Sequence, residues 1–443
     1  MLINFSVQNF GSIKDKQILS FEADKSNHLE DYYVINANGI RLLKLGLIFG
    51  ANASGKTTLL KSLDFLRFLI LNPKDKKTET LNFEPFKFDE RTPSQNTFFE
   101  IEFLQNDMRY FYQVELNRET VVNENLYCYS PKKSQVFSRT TDLKSQATNI
   151  KFGNKFKINE TTKKNLEQIT LWNNTVVGAF LKINFISKEL KDITDWFKDY
   201  LQELILPNAP IKELVWIGDI IPDVEKQTII DILKKADFNI SNFHIRETEN
   251  SMDFITQLLK VPKYEIADWD SKIIGGLMKS ETPQDFKFST LDIEHTVKGK
   301  KYRLDFDVES QGTQRYYAFA YHLSKLINNS ILLPIDELES SLHPDLFQHF
   351  LLSFIVNSKK SQIIATTHSR EILNNKDIFR NDAIWITDKD NENYSTELYS
   401  LADFDTKVIR DTTNILNVYK LGKLGGVPNL GDYYIDIEND EKK

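Results

Sequence analysis

Cysteine and glycine are both scarce in this chain of 443 residues. The single cysteine, Cys128, excludes an internal disulfide and any metal centre built from several thiolates, so we expect a buried thiol. With 16 glycines and 12 prolines, the chain is neither rich in linkers nor of low complexity. Hydrophobic residues at 41% and charged residues at 27% are typical of a soluble globular protein.

Long apolar runs are absent as well. No run approaches the roughly 18 residues that a membrane-spanning helix needs, and the N-terminus lacks a basic segment followed by an apolar one. We therefore expect a cytoplasmic protein with no membrane segment. The sequence also shows no sustained heptads, which excludes a long coiled-coil arm.

An excess of positive charge is the third absence. The formal net charge of −7 argues against binding of nucleic acid by the surface as a whole. Paired lysines at 132–133, 234–235 and 300–301 leave a local basic groove open. The alternative is that these lysines cover solvated faces, so direct nucleic-acid binding stays an open question.

The chain is longer than the about 250–300 residues at which single cores stop growing. Strand-like runs and one helical segment, residues 57–71, occupy the first 130 residues. Helical spacing follows from about 163 to 236, and strand–helix alternation resumes after 302. Such alternation predicts a mostly parallel sheet. Because the motifs below lie near both ends, we predict one α/β head in two parts, residues 1–130 with an antiparallel β subdomain and residues 301–443. Residues 131–300 would form a mainly helical or mixed insertion that acts as a lid or binds a partner.

The clearest motif is GANASGKT at residues 50–57, which matches G-x-x-x-x-G-K-[ST] between an apolar strand and an amphipathic helix. Its glycines let backbone N–H groups face phosphate oxygens, and the helix N-terminus adds about half a positive charge. Lys56 should reach the β- and γ-phosphates of ATP, and the Thr57 hydroxyl should bind Mg²⁺. The predicted nucleotide-binding residues of this segment are Gly50, Asn52, Ser54, Gly55, Lys56, Thr57 and Thr58.

A second apolar run, residues 331–335, ends in Asp336 and Glu337. Alone, such a run is more often a strand that meets a solvated turn. Because the same chain has a phosphate loop, we favour a second nucleotide-binding motif. We predict that Asp336 orients Mg²⁺ and that Glu337 polarises the attacking water. Pro334 is unexpected, because it removes one backbone donor from what should be a central strand.

Two polar elements complete the set. His368 follows the buried run 362–366, where a neutral imidazole could sense the γ-phosphate. Ser310 and Gly312 precede a helix and could bind an anion at its N-terminus. For this short segment alone, a simple serine N-cap is the favoured interpretation.

These four elements, in this order and spacing, resemble the ABC ATPase superfamily and specifically its SMC- and RecF-like branch. A closer similarity is to ATPases of bacterial anti-phage systems, namely RloA/AbiLii-like proteins and the AriA subunit of PARIS. It covers both ends of the chain and weakens between about 130 and 285. The segments that carry it are residues 9–13, 309–314, 336–344, 366–369, 398–404 and 419–428.

The resemblance implies an ABC-type head in which Ser310 and Gly312 belong to a signature motif that caps the ATP of an opposite subunit. It thereby implies an ATP-sandwich dimer or a higher homo-oligomer. It also implies a separately encoded nuclease effector of the Toprim type and a phage-derived trigger. One departure is Gly11, which stands where many SMC-like heads carry an arginine.

The leading hypothesis is therefore an ATPase that switches its assembly with ATP, senses infection, and holds or activates a nuclease. The alternative is a head of the DNA-repair type that binds nucleic acid directly. A nuclease with its own Toprim domain is disfavoured, because we interpret Asp388 and Asp390 as part of a solvated surface and not as a catalytic acidic pair.

Overall fold

The computed structural model describes residues 1–156, 158–207, 222–236, 239–248, 288–375, 378–404 and 414–427. Parts of the predicted insertion at 131–300 lie outside these residues, as does residue 428, which ends the last segment of the family resemblance. The chain divides into two compact units. The first comprises Met1–Pro207, Asn329–Ser340 and Leu351–Lys443, and the second comprises Asn208–Asn328 and Ser341–Phe350.

The described residues form 17 strands and 9 α-helices. The strands are β1 (Leu2–Gln8), β2 (Gln17–Ser20), β3 (Val34–Ala37), β4 (Ile40–Leu43), β5 (Leu45–Gly50), β6 (Thr97–Gln105), β7 (Met108–Leu116), β8 (Val121–Tyr129), β9 (Lys133–Asp142), β10 (Ala147–Phe152), β11 (Ile240–Thr248), β12 (Phe288–Val297), β13 (Lys300–Asp305), β14 (Leu332–Ile335), β15 (Gln362–Thr366), β16 (Ile384–Lys389) and β17 (Thr396–Ser400). The helices are α1 (Glu30–Tyr33), α2 (Lys56–Leu71), α3 (Glu160–Ile169), α4 (Val176–Phe180), α5 (Lys188–Asp195), α6 (Asp223–Lys235), α7 (Gln311–Asn328), α8 (Pro344–Asn357) and α9 (Ile415–Lys420).

A five-stranded sheet in the first unit carries the phosphate loop. Its strand order is β14–β15–β5–β16–β17, with the first four strands parallel and β17 antiparallel. All 6 residues of β5 are buried, as expected for a parallel strand covered on both faces. The carboxyl ends of β5, β14 and β15 therefore meet at one edge of the sheet, and the predicted α/β class with a mostly parallel sheet is confirmed.

Strand β14, however, is not central. It is the outer strand of this sheet, and residues 201–205 run along its free edge through two isolated bridges. The carbonyl of Pro334 accepts a hydrogen bond from the Ile205 N–H on that side. Because the N–H and C=O of one strand residue point to the same side, the donor that proline lacks would also have faced residues 201–205. The expectation of a central strand at Pro334 was wrong, and an irregular edge explains why proline is tolerated there.

A second sheet in the same unit is antiparallel, with the order β10–β9–β8–β7–β6–β1–β2. Helix α2 contacts β1 of this sheet and β5 and β15 of the other. Phe65 of α2 packs against the rings of Phe10, Phe83 and Phe99, which closes the core between the helix and the antiparallel strands. This is the antiparallel β subdomain predicted for the head. Strands β9 and β10 belong to it although they lie within 131–300.

The second unit contains a three-stranded antiparallel sheet, β11–β12–β13, and the helices α6 and α7. Helix α6 packs on α7 and on β11. Tyr317 of α7 meets the rings of Phe243 and Phe306 edge-on. The part of residues 131–300 that the structure describes thus contains strands as well as helices.

Two expectations about the chain as a whole can be compared with the structure. Among the residues given above, no helix has both the length and the apolar character to cross a membrane. Cys128 is buried as expected, and burial raises the pKa of its thiol.

Candidate functional site

The phosphate loop spans the end of a buried strand and the start of a long helix. Strand β5 ends at Gly50, and α2 begins at Lys56. Gly55 has a φ of 102°, and a Cβ there would lie 2.0 Å from Thr396 Oγ1. A Cβ on Gly50 would lie 2.3 Å from Thr387 Oγ1. Neither position admits a side chain, which explains why the motif has glycine at both of them.

The other loop residues differ in what their side chains contact. Ser54 is buried, and its hydroxyl lies 2.6 Å from Thr387 Oγ1, so it ties the loop to β16. Thr58 accepts a hydrogen bond of 3.1 Å from the Ser12 hydroxyl, which joins the first turn of α2 to the turn after β1. The side chain of Asn52 is exposed. Ser54 and Thr58 therefore hold the loop in place through their side chains, whereas Asn52 extends into solvent.

Lys56 lies over the loop that it follows. Its ammonium donates to the carbonyls of Gly50 at 2.9 Å and Ala51 at 3.0 Å, and the residue is only 5% exposed. Burial lowers the pKa of Lys56, while Asp336 and Glu337 oppose that shift. A cation in a loop of backbone N–H groups is an arrangement suited to a phosphate group.

Thr57 and Asp336 meet at the edge of the sheet. The Thr57 hydroxyl donates to the Asp336 carboxylate at 2.9 Å from Oδ2, and Thr366 donates to Oδ1 at 2.6 Å. Asp336 is only 3% exposed. A hydroxyl and a carboxylate are hard oxygen donors of the kind that Mg²⁺ prefers, so this pair fits the predicted metal.

Glu337 and His368 form the more open side of the site. The side chains are 43% and 37% exposed, and Nε2 of His368 lies 3.7 Å from Oε1 of Glu337. Glu337 has a φ of 47°, a left-handed conformation that side chains seldom adopt, and its N–H donates to Thr366 Oγ1 at 2.8 Å. The His368 N–H donates to the carboxylate of Glu339.

The charge state of His368 follows from its surroundings. Burial lowers the pKa of His368 and Lys56 adds to that shift, while Glu339, Glu337 and Asp336 oppose it. The imidazole is therefore neutral at neutral pH, as its predicted sensing role requires.

Ser310 and Gly312 lie in the second unit and are described there by themselves. The Ser310 hydroxyl accepts the Thr313 N–H at 3.1 Å, which is the geometry of an N-cap on α7. A Cβ on Gly312 would meet Ser310 Oγ and the Ser341 carbonyl at 3.8 Å, an ordinary contact. The cap accounts for Ser310 within one chain, and a role toward another subunit stays a prediction.

Thr366 is the site residue that motif reading missed. Its hydroxyl donates to the Asp336 carboxylate and accepts the Glu337 N–H, so it fixes both acidic residues from the neighbouring strand. The sequence offered one signal, a polar residue at the end of the buried run 362–366.

Residues 47–374 match a family model described as "AAA domain, putative AbiEii toxin, Type IV TA system". The chain belongs to this family. No curated protein matches the chain significantly.

Solved structures of SMC head domains are similar to this chain. One is the SmcHead bound to the C-winged helix domain of ScpA, at 10% identity and a TM-score of 0.44, covering 90% of this chain and 97% of that one. The SMC head domain from Thermotoga maritima is 13% identical, with a TM-score of 0.40 and coverage of 90% and 98%. The Smc head with an extended coiled coil bound to the C-terminal domain of ScpA, derived from Pyrococcus furiosus, is 13% identical, with a TM-score of 0.36 and coverage of 90% and 96%. Because these TM-scores are below 0.5, the family assignment rests on the sequence match.

Proposed function

We propose that this protein binds ATP with Mg²⁺ and hydrolyses it to ADP and phosphate. The observation that carries the proposal is the contact of 2.9 Å between Thr57 Oγ1 and Asp336 Oδ2 beside the buried Lys56. It joins the phosphate loop to the acidic end of β14, two motifs that lie far apart in the sequence.

Each residue has a role that its environment supports. Loop N–H groups and the Lys56 ammonium would hold the phosphates, and Thr57 with Asp336 would hold Mg²⁺. The bound ion would supply electrostatic stabilisation of the charge on the transferring phosphoryl group. Glu337 has an accessible carboxylate that can orient and deprotonate a water molecule, and neutral His368 beside it can donate or accept a hydrogen bond at the γ-phosphate.

We further propose that ATP controls assembly. Ser310 and Gly312 would complete the site of another copy of the chain, so that a nucleotide joins two subunits in a dimer or a higher oligomer. The words "toxin" and "Type IV TA system" in the family description support a role in a bacterial conflict system. Anti-phage defence, a phage-derived trigger and a separate Toprim-like nuclease that this protein holds or activates are supported by the motif resemblance.

The test uses Glu337→Gln, which keeps the shape of the side chain and removes the base. This variant should bind ATP with Mg²⁺ and release phosphate at least about a hundredfold more slowly than the wild type. Light scattering after gel filtration should show a larger assembly with ATP than without it, and Lys56→Ala should abolish that change. An assembly state that ATP leaves unchanged in Glu337→Gln would rule out the switch.

A gel-shift assay at low and high salt distinguishes the alternative. A head that binds nucleic acid directly should show affinity that falls steeply with salt. The net charge of −7 does not favour that outcome.

A further inference from the structure

Residues 201–205, which we call the edge segment, run along the outer edge of β14 in the five-stranded sheet. The Gln202 N–H donates to the Leu332 carbonyl at 2.9 Å, the Ile205 N–H donates to the Pro334 carbonyl at 3.0 Å, and the Asp336 N–H donates to the Ile205 carbonyl at 2.8 Å. The last bond fixes the backbone of the predicted Mg²⁺ ligand. Pro334 can return no bond to the segment, so the pairing with β14 remains limited to two bridges.

Helix α2 contributes bonds to the segment that β14 does not. Arg67 Nε donates to the Leu201 carbonyl at 2.8 Å, and the Leu204 N–H donates to Asp64 Oδ1 at 3.2 Å. Leu201 is fully buried, and Ile205 is 4% exposed. Both ends of the edge segment are therefore held by side chains of the helix that begins at the phosphate loop.

These contacts close a ring. Asp64 follows Thr57 by seven residues, about two turns, so both side chains lie on the same face of α2. Thr57 contacts the Asp336 carboxylate, the Asp336 N–H reaches Ile205, and Leu204 returns to Asp64. The distance between the Thr57 hydroxyl and the Asp336 carboxylate is thus set by this closed series of contacts and not by one hydrogen bond alone.

We propose that Asp64 and Arg67 are positioning residues, which fix the edge segment and through it hold the Asp336 carboxylate against Thr57. This inference rests on the proposed function, in which Thr57 and Asp336 hold Mg²⁺. Loosening the segment should weaken the part of nucleotide binding that depends on the metal. The part that depends on Lys56 and the loop should persist, since the Lys56 ammonium is held by the carbonyls of Gly50 and Ala51.

The test compares the full-length wild type with Asp64→Ala and Arg67→Met, which remove the bonds to the edge segment. Asp64→Asn is the conservative variant, because it keeps an Oδ1 acceptor for the Leu204 N–H. Lys61→Ala is the matched control, because Lys61 lies exposed on the same helix. The probe is a fluorescent ATP analogue, titrated once with Mg²⁺ and once with EDTA.

In Asp64→Ala and Arg67→Met, we expect the ratio of the affinity with Mg²⁺ to the affinity in EDTA to be about five- to tenfold smaller than in the wild type. The affinity in EDTA itself should change less than about twofold. Asp64→Asn should restore most of the Mg²⁺ gain, and Lys61→Ala should match the wild type. If both disruptive variants melted cooperatively and kept the full Mg²⁺ gain, the segment would be structural only and the inference would be wrong. If Asp64→Ala did not fold, Arg67→Met would decide the question alone.

A second readout separates this inference from the proposed function. Amide hydrogen exchange of the wild type and Asp64→Ala, both without nucleotide, should show faster exchange at Asp336 in the variant. Unchanged exchange at Asp336 would contradict the inferred link from Asp64 through the edge segment to Asp336. Failure of the wild type to bind the ATP analogue in either buffer would contradict the proposed function. The exchange measurement would still test whether Asp64 positions Asp336, because it needs no nucleotide.

Discussion

The two halves of the candidate site differ in how firmly their side chains are held. Lys56, Thr57 and Asp336 form a half in which two residues are at most 5% exposed and every polar group has partners in the loop or on a neighbouring strand. Glu337 and His368 form the other half, where both side chains are more than a third exposed and stand 3.7 Å apart. Asp336 and Glu337 are both carboxylates and are adjacent in sequence, so the different roles proposed for them, metal binding and hydrolysis, rest on their different environments.

This difference in burial predicts which measurable properties, ligand binding, stability or turnover, depend on each half of the site. A buried group that contacts its neighbours at 2.6 to 3.1 Å affects both ligand binding and stability when it is lost. An exposed group without close partners can be changed with little effect on folding, so its loss should appear mainly in turnover. The variants below test this separation.

The largest effect is expected from Lys56→Ala, in the buried half. Removing the cation that lies over the loop carbonyls should weaken ATP binding by about a hundredfold, since a hydrogen bond to a charged group contributes up to about 3 kcal/mol. Isothermal titration calorimetry measures this directly. Lys61→Ala, on the exposed face of α2, is the control, and equal affinities for the two variants would refute the role given to Lys56.

Thr366→Val should have an intermediate effect that spans both halves. The hydroxyl bonds to Asp336 and to the Glu337 N–H, so its loss should lower the free energy of unfolding by about 1–3 kcal/mol and also slow turnover. Urea unfolding and phosphate release measure the two consequences. Thr366→Ser keeps the hydroxyl and should stay close to the wild type in both. A valine variant as stable and as active as the wild type would show that Thr366 does not link the halves.

The smallest expected effect is the pH dependence that His368, in the exposed half of the site, gives to the activity. The pKa of His368 lies below its usual value of 6.5, so the imidazole is neutral at pH 7 and takes up a proton only in more acidic solution. Activity that needs the neutral form should therefore decline only in solution more acidic than that in which an ordinary histidine takes up its proton, and His368→Gln should remove that acidic decline. A decline that began above pH 7 in the wild type would contradict the lowered pKa.

Much of the head was accessible to prediction because its signals are local. Glycine at positions 50 and 55, the apolar strand before them and the amphipathic helix after them lie within one continuous stretch. The mostly parallel sheet followed from strand–helix alternation, which short-range periodicity reveals. Ser54 and Thr58 were predicted as site residues from the motif, but their side chains contact Thr387 and Ser12, and no spacing rule indicates those partners.

Sequence alone determined the phosphate loop, the acidic end of β14 and the position of His368, since each depends on residues adjacent along the chain. Only the tertiary structure decided that β14 is an edge strand, that Thr366 joins Asp336 to Glu337, and that residues 201–205 connect Asp64 with Asp336. The physical reason is that hydrogen bonds between strands and helices distant in sequence depend on strand order. Strand order in turn results from packing of the whole core, which leaves no periodic signal in the sequence.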